Sequence, residues 1–153
     1  MKTRRFTRLP GMTLAVMLTL LVGSVRADEK QITGTWIVTI TFPVCSAECP
    51  CPPATSVPGL HRYLQDGSML EVGNPAARST GLGAWEHIDH HQFVARFAFI
   101  TANGSREDVT TYITLTAPDA FTSNSIFDLF GPTGNRISPP DGCPREETAT
   151  RFE

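Results

Sequence analysis

Residues 32–42, Ile-Thr-Gly-Thr-Trp-Ile-Val-Thr-Ile-Thr-Phe, constrain the fold of this chain more than any other stretch. Ile32, Trp36, Val38, Ile40 and Phe42 share one parity, and Thr33, Thr35, Thr39 and Thr41 share the other, with Ile37 the apolar exception. Side chains alternate across a strand, so this is one long strand with a dry face and a hydroxyl-bearing face. β-branched and aromatic residues dominate it, as a pleated, half-buried surface requires.

Residues 1–27 read as a secretory signal: Lys2, Arg4, Arg5 and Arg8 form a basic head, Leu14 to Val22 an apolar middle, and Val25-Arg26-Ala27 the exit. The apolar run is shorter than the about 20 residues of a membrane-spanning helix, so stable membrane insertion is not expected. Cleavage after Ala27 leaves 28–153 as one domain in the periplasm or outside the cell. It removes five of the thirteen basic side chains and none of the fifteen acidic ones. Eight bases then face fifteen acids, formally −7, which argues against nucleic acid or an anionic membrane as partner.

Seven further strands follow at 59–65, 68–72, 81–87, 92–101, 107–117, 120–130 and 146–152. Asp66-Gly67 and Asn103-Gly104 mark tight hairpins, and Pro118-Asp119 marks a turn. Two glycines in the stretch 81–87 imply a bend or a close backbone approach. Eight antiparallel strands in chain order close on themselves, because closure removes exposed edges. The expected fold is therefore all-β, an eight-stranded antiparallel up-and-down barrel.

Four prolines within residues 43–53 exclude a helix or a central strand after the first strand. That loop carries Cys45, Cys49 and Cys51, and Cys143 precedes the last strand. In an up-and-down barrel both loops open at one rim. Four cysteines in an exported chain favour two disulfides over thiolate metal ligation. Three pairings are open, with Cys45–Cys51 and Cys49–Cys143 slightly favoured.

At Gly34-Thr35-Trp36 the chain resembles the calycin superfamily, the lipocalins and their relatives, whose first strand carries a Gly-x-Trp signature. The resemblance implies that Trp36 closes the barrel floor beside Gly34 and that a basic residue of the final strand, here Arg151, lies across its ring. The stretches 63–68 and 81–86 also resemble small bacterial lipocalin-like barrel proteins. Two departures are plain: the chain has no Thr-Asp-Tyr motif and no helix after the last strand.

The expected interior is Trp36, Val38, Ile40, Leu70, Trp85 and Phe93, with Phe97, Phe99, Ile113, Phe121 and Phe127. A lumen ligand would touch Phe97, Phe99, Trp85 and Phe127, with Tyr112 or Arg96 orienting it. Arg96, Glu86, Asp108, Tyr112 and Asp128 are the strand polar residues that a catalytic interior would need, and the alternation of a barrel favours the surface for them. No nucleophile elbow, phosphate loop or paired-carboxylate spacing stands out, so no catalytic residue is assigned. Glu86-His87-Ile88-Asp89-His90-His91 is the densest group of metal-ligand types. It spans a strand end and a turn that point its side chains apart, and neither metal nor cofactor is assigned. His61 is read as an ordinary strand residue. The functional expectation is a barrel that binds a small apolar or amphipathic molecule. A barrel cyclase or isomerase resembling allene oxide cyclase in architecture, and a filled-lumen protein-binding module, are its rivals.

Overall fold

The computed structural model describes residues 31–52 and 56–153. The expected signal peptide at 1–27 lies outside the described residues. Eight strands follow in order: β1 (Gly34–Thr41), β2 (Ser56–Tyr63), β3 (Ser68–Val72), β4 (Gly81–Asp89), β5 (Gln92–Ile100), β6 (Arg106–Ala117), β7 (Ala120–Phe130) and β8 (Cys143–Arg151). Each pairs antiparallel with the next, and β8 returns to β1, where Trp36 faces Arg151 and Ile40 faces Glu147 in register. The sheet is a closed barrel with no free edge, as expected.

Alternation fixes what is inside. β5 turns Phe93, Ala95, Phe97 and Phe99 inward, and β1 does the same with Trp36, Val38 and Ile40. β2 ends earlier than expected because Leu64 already belongs to the hairpin: its amide donates to the Ser68 carbonyl at 2.9 Å, and Gly67 N donates to Leu64 O at 3.1 Å. That hairpin register places Met69 opposite Tyr63, so Met69 and Glu71 enter the core and Leu70 does not. Leu70 was expected inside; five residues with apolar side chains at both parities carry too little pattern to decide, and the turn decides instead.

β8 starts three residues earlier than expected, with Cys143 opposite Phe127. The reason is covalent. Cys143 is bonded to Cys49 and Cys45 to Cys51, with Cα separations of 5.5 and 5.4 Å. The Cys49–Cys143 bond closes a ring over a sequence separation of 94 and pins the proline-rich loop across the rim where the loops after β1, β3, β5 and β7 gather.

Candidate ligand cavity and buried ion-pair belt

The lumen has three levels. At the floor, Trp36 is wholly buried and its Nε1 donates to Ile32 O at 2.8 Å. The Arg151 guanidinium lies 4.3 Å from the Trp36 ring centre, a cation–π contact. It donates to Thr33 O at 2.8 Å, to Gln31 O and to Pro118 O, so one side chain ties the two ends of the barrel sheet to the β6–β7 turn. Gly34 has φ +129°, and a Cβ there would sit 2.7 Å from Arg151 Nη1. Both the backbone and the space require glycine.

Above Trp36 the lower lumen is filled by rings. Centroids are 5.0 Å apart for Trp36–Phe121, 6.4 Å for Phe121–Tyr63, 6.3 Å for Tyr63–Trp85 and 5.9 Å for Trp85–Phe93. Trp85 Nε1 finds its acceptor in Leu64 O at 2.8 Å, so this ring is a plug with its polar atom satisfied. Trp85 therefore belongs to the packed floor.

The middle level is charged, and sequence reasoning missed it. Arg145 and Glu147, two apart on β8, both point inward at 2 % and 0 % side-chain exposure, and their guanidinium and carboxylate meet at 2.6 Å. Ser123 on β7 donates to the other Glu147 oxygen at 2.7 Å. His61 on β2 lies 4.0 Å from the same oxygen and shares a 3.2 Å hydrogen bond with Tyr63. A second pair forms where Arg78, from the loop after β3, grips both oxygens of Glu71, one of them at 2.8 Å, and stacks 4.2 Å over Phe99. Bidentate arginine–carboxylate geometry is the strong form of this contact.

Burial shapes every titration here. Desolvation drives the His61 pKa down to about 4, against the pull of Glu147, so the imidazole is neutral at pH 7. Burial also works to raise Glu147, but Arg145, His61 and the Ser123 hydroxyl outweigh it and hold the carboxyl below its ordinary range. Glu71 is pushed up by burial in spite of Arg78. Among the described residues, His61 Nε2, Arg145 Nε, Thr111 Oγ1 and Ser125 Oγ are buried side-chain atoms with no hydrogen-bond partner.

Above this belt the lumen is open. A cleft of about 1310 Å³ runs from the upper lumen over the rim and onto the outer face of the barrel at Ile37, Leu60 and Phe152. Its inner wall is Ile40, Phe42, Val57, Phe99, Phe127 and Leu129, and its charged groups are Arg78, Arg145 and Glu107. Pro50, Cys51 and Pro52 of the stapled loop form part of the entrance, which spreads outward past Leu60 and Val72.

Of the expected ligand contacts, Phe99 and Phe127 line this cavity. Phe97 is buried below it, 5.4 Å from the Arg145 guanidinium carbon. Arg96 and Tyr112 correct the expectation: both stand on the outer surface, Arg96 in an exposed pair with Glu86 at 2.8 Å, and Tyr112 more than half exposed. Inward positions on β5 and β6 have odd numbers, which excludes both. Asp108 and Asp128 are likewise outward, paired with Arg106 and Arg136. His87 packs 5.1 Å from Phe93, whereas His90 and His91 are exposed at the β4–β5 turn, so the three imidazoles do not converge.

No family model matches the chain, and no curated protein matches it. Among solved structures it is similar to EF1p2_mFAP2b bound to DFHBI, with 13 % identity and a TM-score of 0.53 over 84 % of this chain and 99 % of that one. Looser likenesses are to pallilysin, Tp0751 of Treponema pallidum (11 % identity, TM-score 0.42, 95 % and 98 % covered), and to the redesigned β-barrel b11L5F_LGL (15 %, 0.38, 82 % and 96 %). At these identities the likeness concerns the barrel fold alone.

Proposed function

We propose that this chain is an exported lipocalin-like barrel of the calycin kind that binds a small apolar or amphipathic molecule in the upper lumen. The observation that carries the reading is the unequal filling of the barrel: rings and ion pairs occupy the lower two levels, and the cavity above them keeps an apolar wall. Small barrels hold either side chains or one small ligand, and a wall of this kind suits a ligand. Residues 1–27 act as the cleaved signal in this reading and 28–153 as the mature domain, in the periplasm or beyond it. The two disulfides are consistent with that destination. The similar barrel EF1p2_mFAP2b is bound to DFHBI, a use of the fold that the reading extends to this chain.

Burying about 300 Å² of apolar ligand surface supplies roughly 7 kcal/mol before the costs of association, so apolar burial alone gives binding weaker than about 1 μM and a polar contact in the cavity has to add to it. His61, Tyr63, Ser123 and Glu147 do not line the cavity and serve the wall rather than a reaction. Titration with the neutral fluorophore Nile red tests the proposal. Saturable one-to-one binding is expected, abolished by Val57→Trp, which fills the cavity from β2. Unsaturable binding, or binding indifferent to that substitution, overturns it.

A further inference from the structure

Three charged side chains face the upper cavity, and two already have counter-charges. Arg78 is held by Glu71 and Arg145 by Glu147. Glu107 differs. It enters from β6 between Phe99 of β5 and Leu129 of β7 in register and lines the cavity, and among the described residues its carboxylate has no hydrogen bond or ion pair. Its side chain is half-buried at the cavity wall, whereas the fully buried carboxylates inside this barrel each meet an arginine.

Resting on the binding reading above, we propose that Glu107 is the counter-charge for an ammonium group carried on an apolar body, an amphipathic amine held in the upper lumen. Phe42 and Phe127, in edge contact at 6.2 Å, line the same space and offer the ring faces that cations prefer. The Phe99 face is already taken by Arg78. An anionic ligand would meet Glu107 while both arginines are engaged, and a neutral one would leave Glu107 unmatched. Long-range attraction acts the same way, since residues 28–153 carry eight basic and fifteen acidic side chains.

The charged groups acting on Glu107 are Arg145 of β8, Arg78 of the β3–β4 loop and Glu71 of β3. Burial holds its carboxyl above the ordinary range, with both arginines pulling it down and Glu71 reinforcing the rise. Amine binding therefore strengthens as pH rises through the Glu107 titration, whereas binding of an uncharged analogue does not.

The test is calorimetric titration of the full mature protein with octylamine, 1-octanol and octanoate at pH 7.5. Octylammonium is expected to bind about tenfold tighter than octanol, with octanoate weakest, as one charge-assisted contact allows. Glu107→Gln should erase the preference and leave octanol within about twofold of wild type. In the unmutated protein the amine-to-alcohol ratio should fall as pH is lowered, a readout independent of the variant. Octanoate binding tightest, a ratio flat with pH, or an amine preference that survives Glu107→Gln overturns the inference. If Nile red binds and octylamine does not, this inference fails and the cavity reading stands; if Nile red also fails, both fall.

Discussion

Replacing Arg145 with methionine tests the ion-pair belt directly. The substitution keeps an unbranched apolar stem beside Phe97 but leaves Glu147 buried at 0 % side-chain exposure, with the Ser123 hydroxyl as its remaining hydrogen-bond donor. Breaking a buried pair by removing one partner costs about 3–5 kcal/mol, equivalent to a melting point lower by roughly 10 °C or more in a domain of this size. The pH dependence carries the diagnosis. With Arg145 present, Glu147 titrates below its ordinary value of 4.5, so its stabilising contribution is complete above that pH and is lost as pH falls through the lowered value. Without Arg145, the strongest pull opposing burial is gone, and the folded carboxyl is expected to titrate above its ordinary value. A penalty then appears as pH rises past 4.5. The deficit of Arg145→Met is therefore greatest near pH 7 and contracts toward pH 4.5. Urea unfolding followed by the fluorescence of Trp36 and Trp85, with disulfides intact, measures it at both pH values. Adding Glu147→Gln should recover more than half of the loss, because a neutral amide still accepts the Ser123 hydroxyl. A deficit under about 1 kcal/mol at pH 7, or one of equal size at both pH values, would refute the argument, since a buried unpaired carboxylate must show both.

Other expectations follow from the same geometry. Removing the Cys49–Cys143 bridge by double alanine substitution should cost about 4–5 kcal/mol and removing Cys45–Cys51 about 2, because the stabilisation grows with the loop closed; urea midpoints of the two variants in the opposite order would be incompatible with this. Gly34→Ala should lose about 2–3 kcal/mol through its left-handed φ and the contact with Arg151, and the double variant with Arg151→Ala should remain impaired because the backbone strain persists. His61 titrates at about 4 when folded against 6.5 in its ordinary state. The unfolded chain therefore takes up a proton that the folded one refuses, and stability falls as pH drops from 6.5 toward 4. His61→Gln should flatten that limb of the stability–pH curve; an unchanged slope would show that His61 does not cause it.

How far the sequence can be read depends on which force sets each feature. Strand β5 shows its inward face because the large rings Phe93, Phe97 and Phe99 repeat with period two and outweigh the smaller Val94, Ala98 and Ile100 on the other face. The floor is equally legible: Gly34, Trp36 and Arg151 occupy the places that one short motif suggests, and the rim cysteines follow from the order of the loops. The charged belt is hidden for a physical reason. A polar residue on a half-buried strand ordinarily faces water, so Glu71, Arg145 and Glu147 look like surface positions until their partners are known. Those partners come from distant parts of the chain: His61 approaches Glu147 across β1, and Arg78 reaches Glu71 from outside any strand. One signal was available. Cys143 must point inward to reach the first loop, and Arg145, Glu147 and Ala149 share its parity. Extending β8 back to the cysteine would have turned both charges into the lumen.

The inward parity of β8 also bears on what the barrel can hold. A lumen filled only by apolar side chains would collapse around them to native packing density. Here the two arginine–glutamate pairs form a layer that cannot be desolvated further without loss, and it separates the packed rings below from the open space above. Gly81 contributes to the same end: a Cβ there would press on Glu71 at 3.0 Å and on Phe97 at 3.1 Å, so glycine leaves the carboxylate room to meet Arg78. The belt thus acts as a rigid false floor. It stops the cavity from filling downward, it engages both guanidiniums, and it leaves the Glu107 carboxyl as the unmatched charge at the cavity wall. In the binding reading, the depth of the cavity and the sign of the charge it accepts both follow from this belt, whose one pair is set by the inward parity of β8 and whose other is set by the β2–β3 hairpin register.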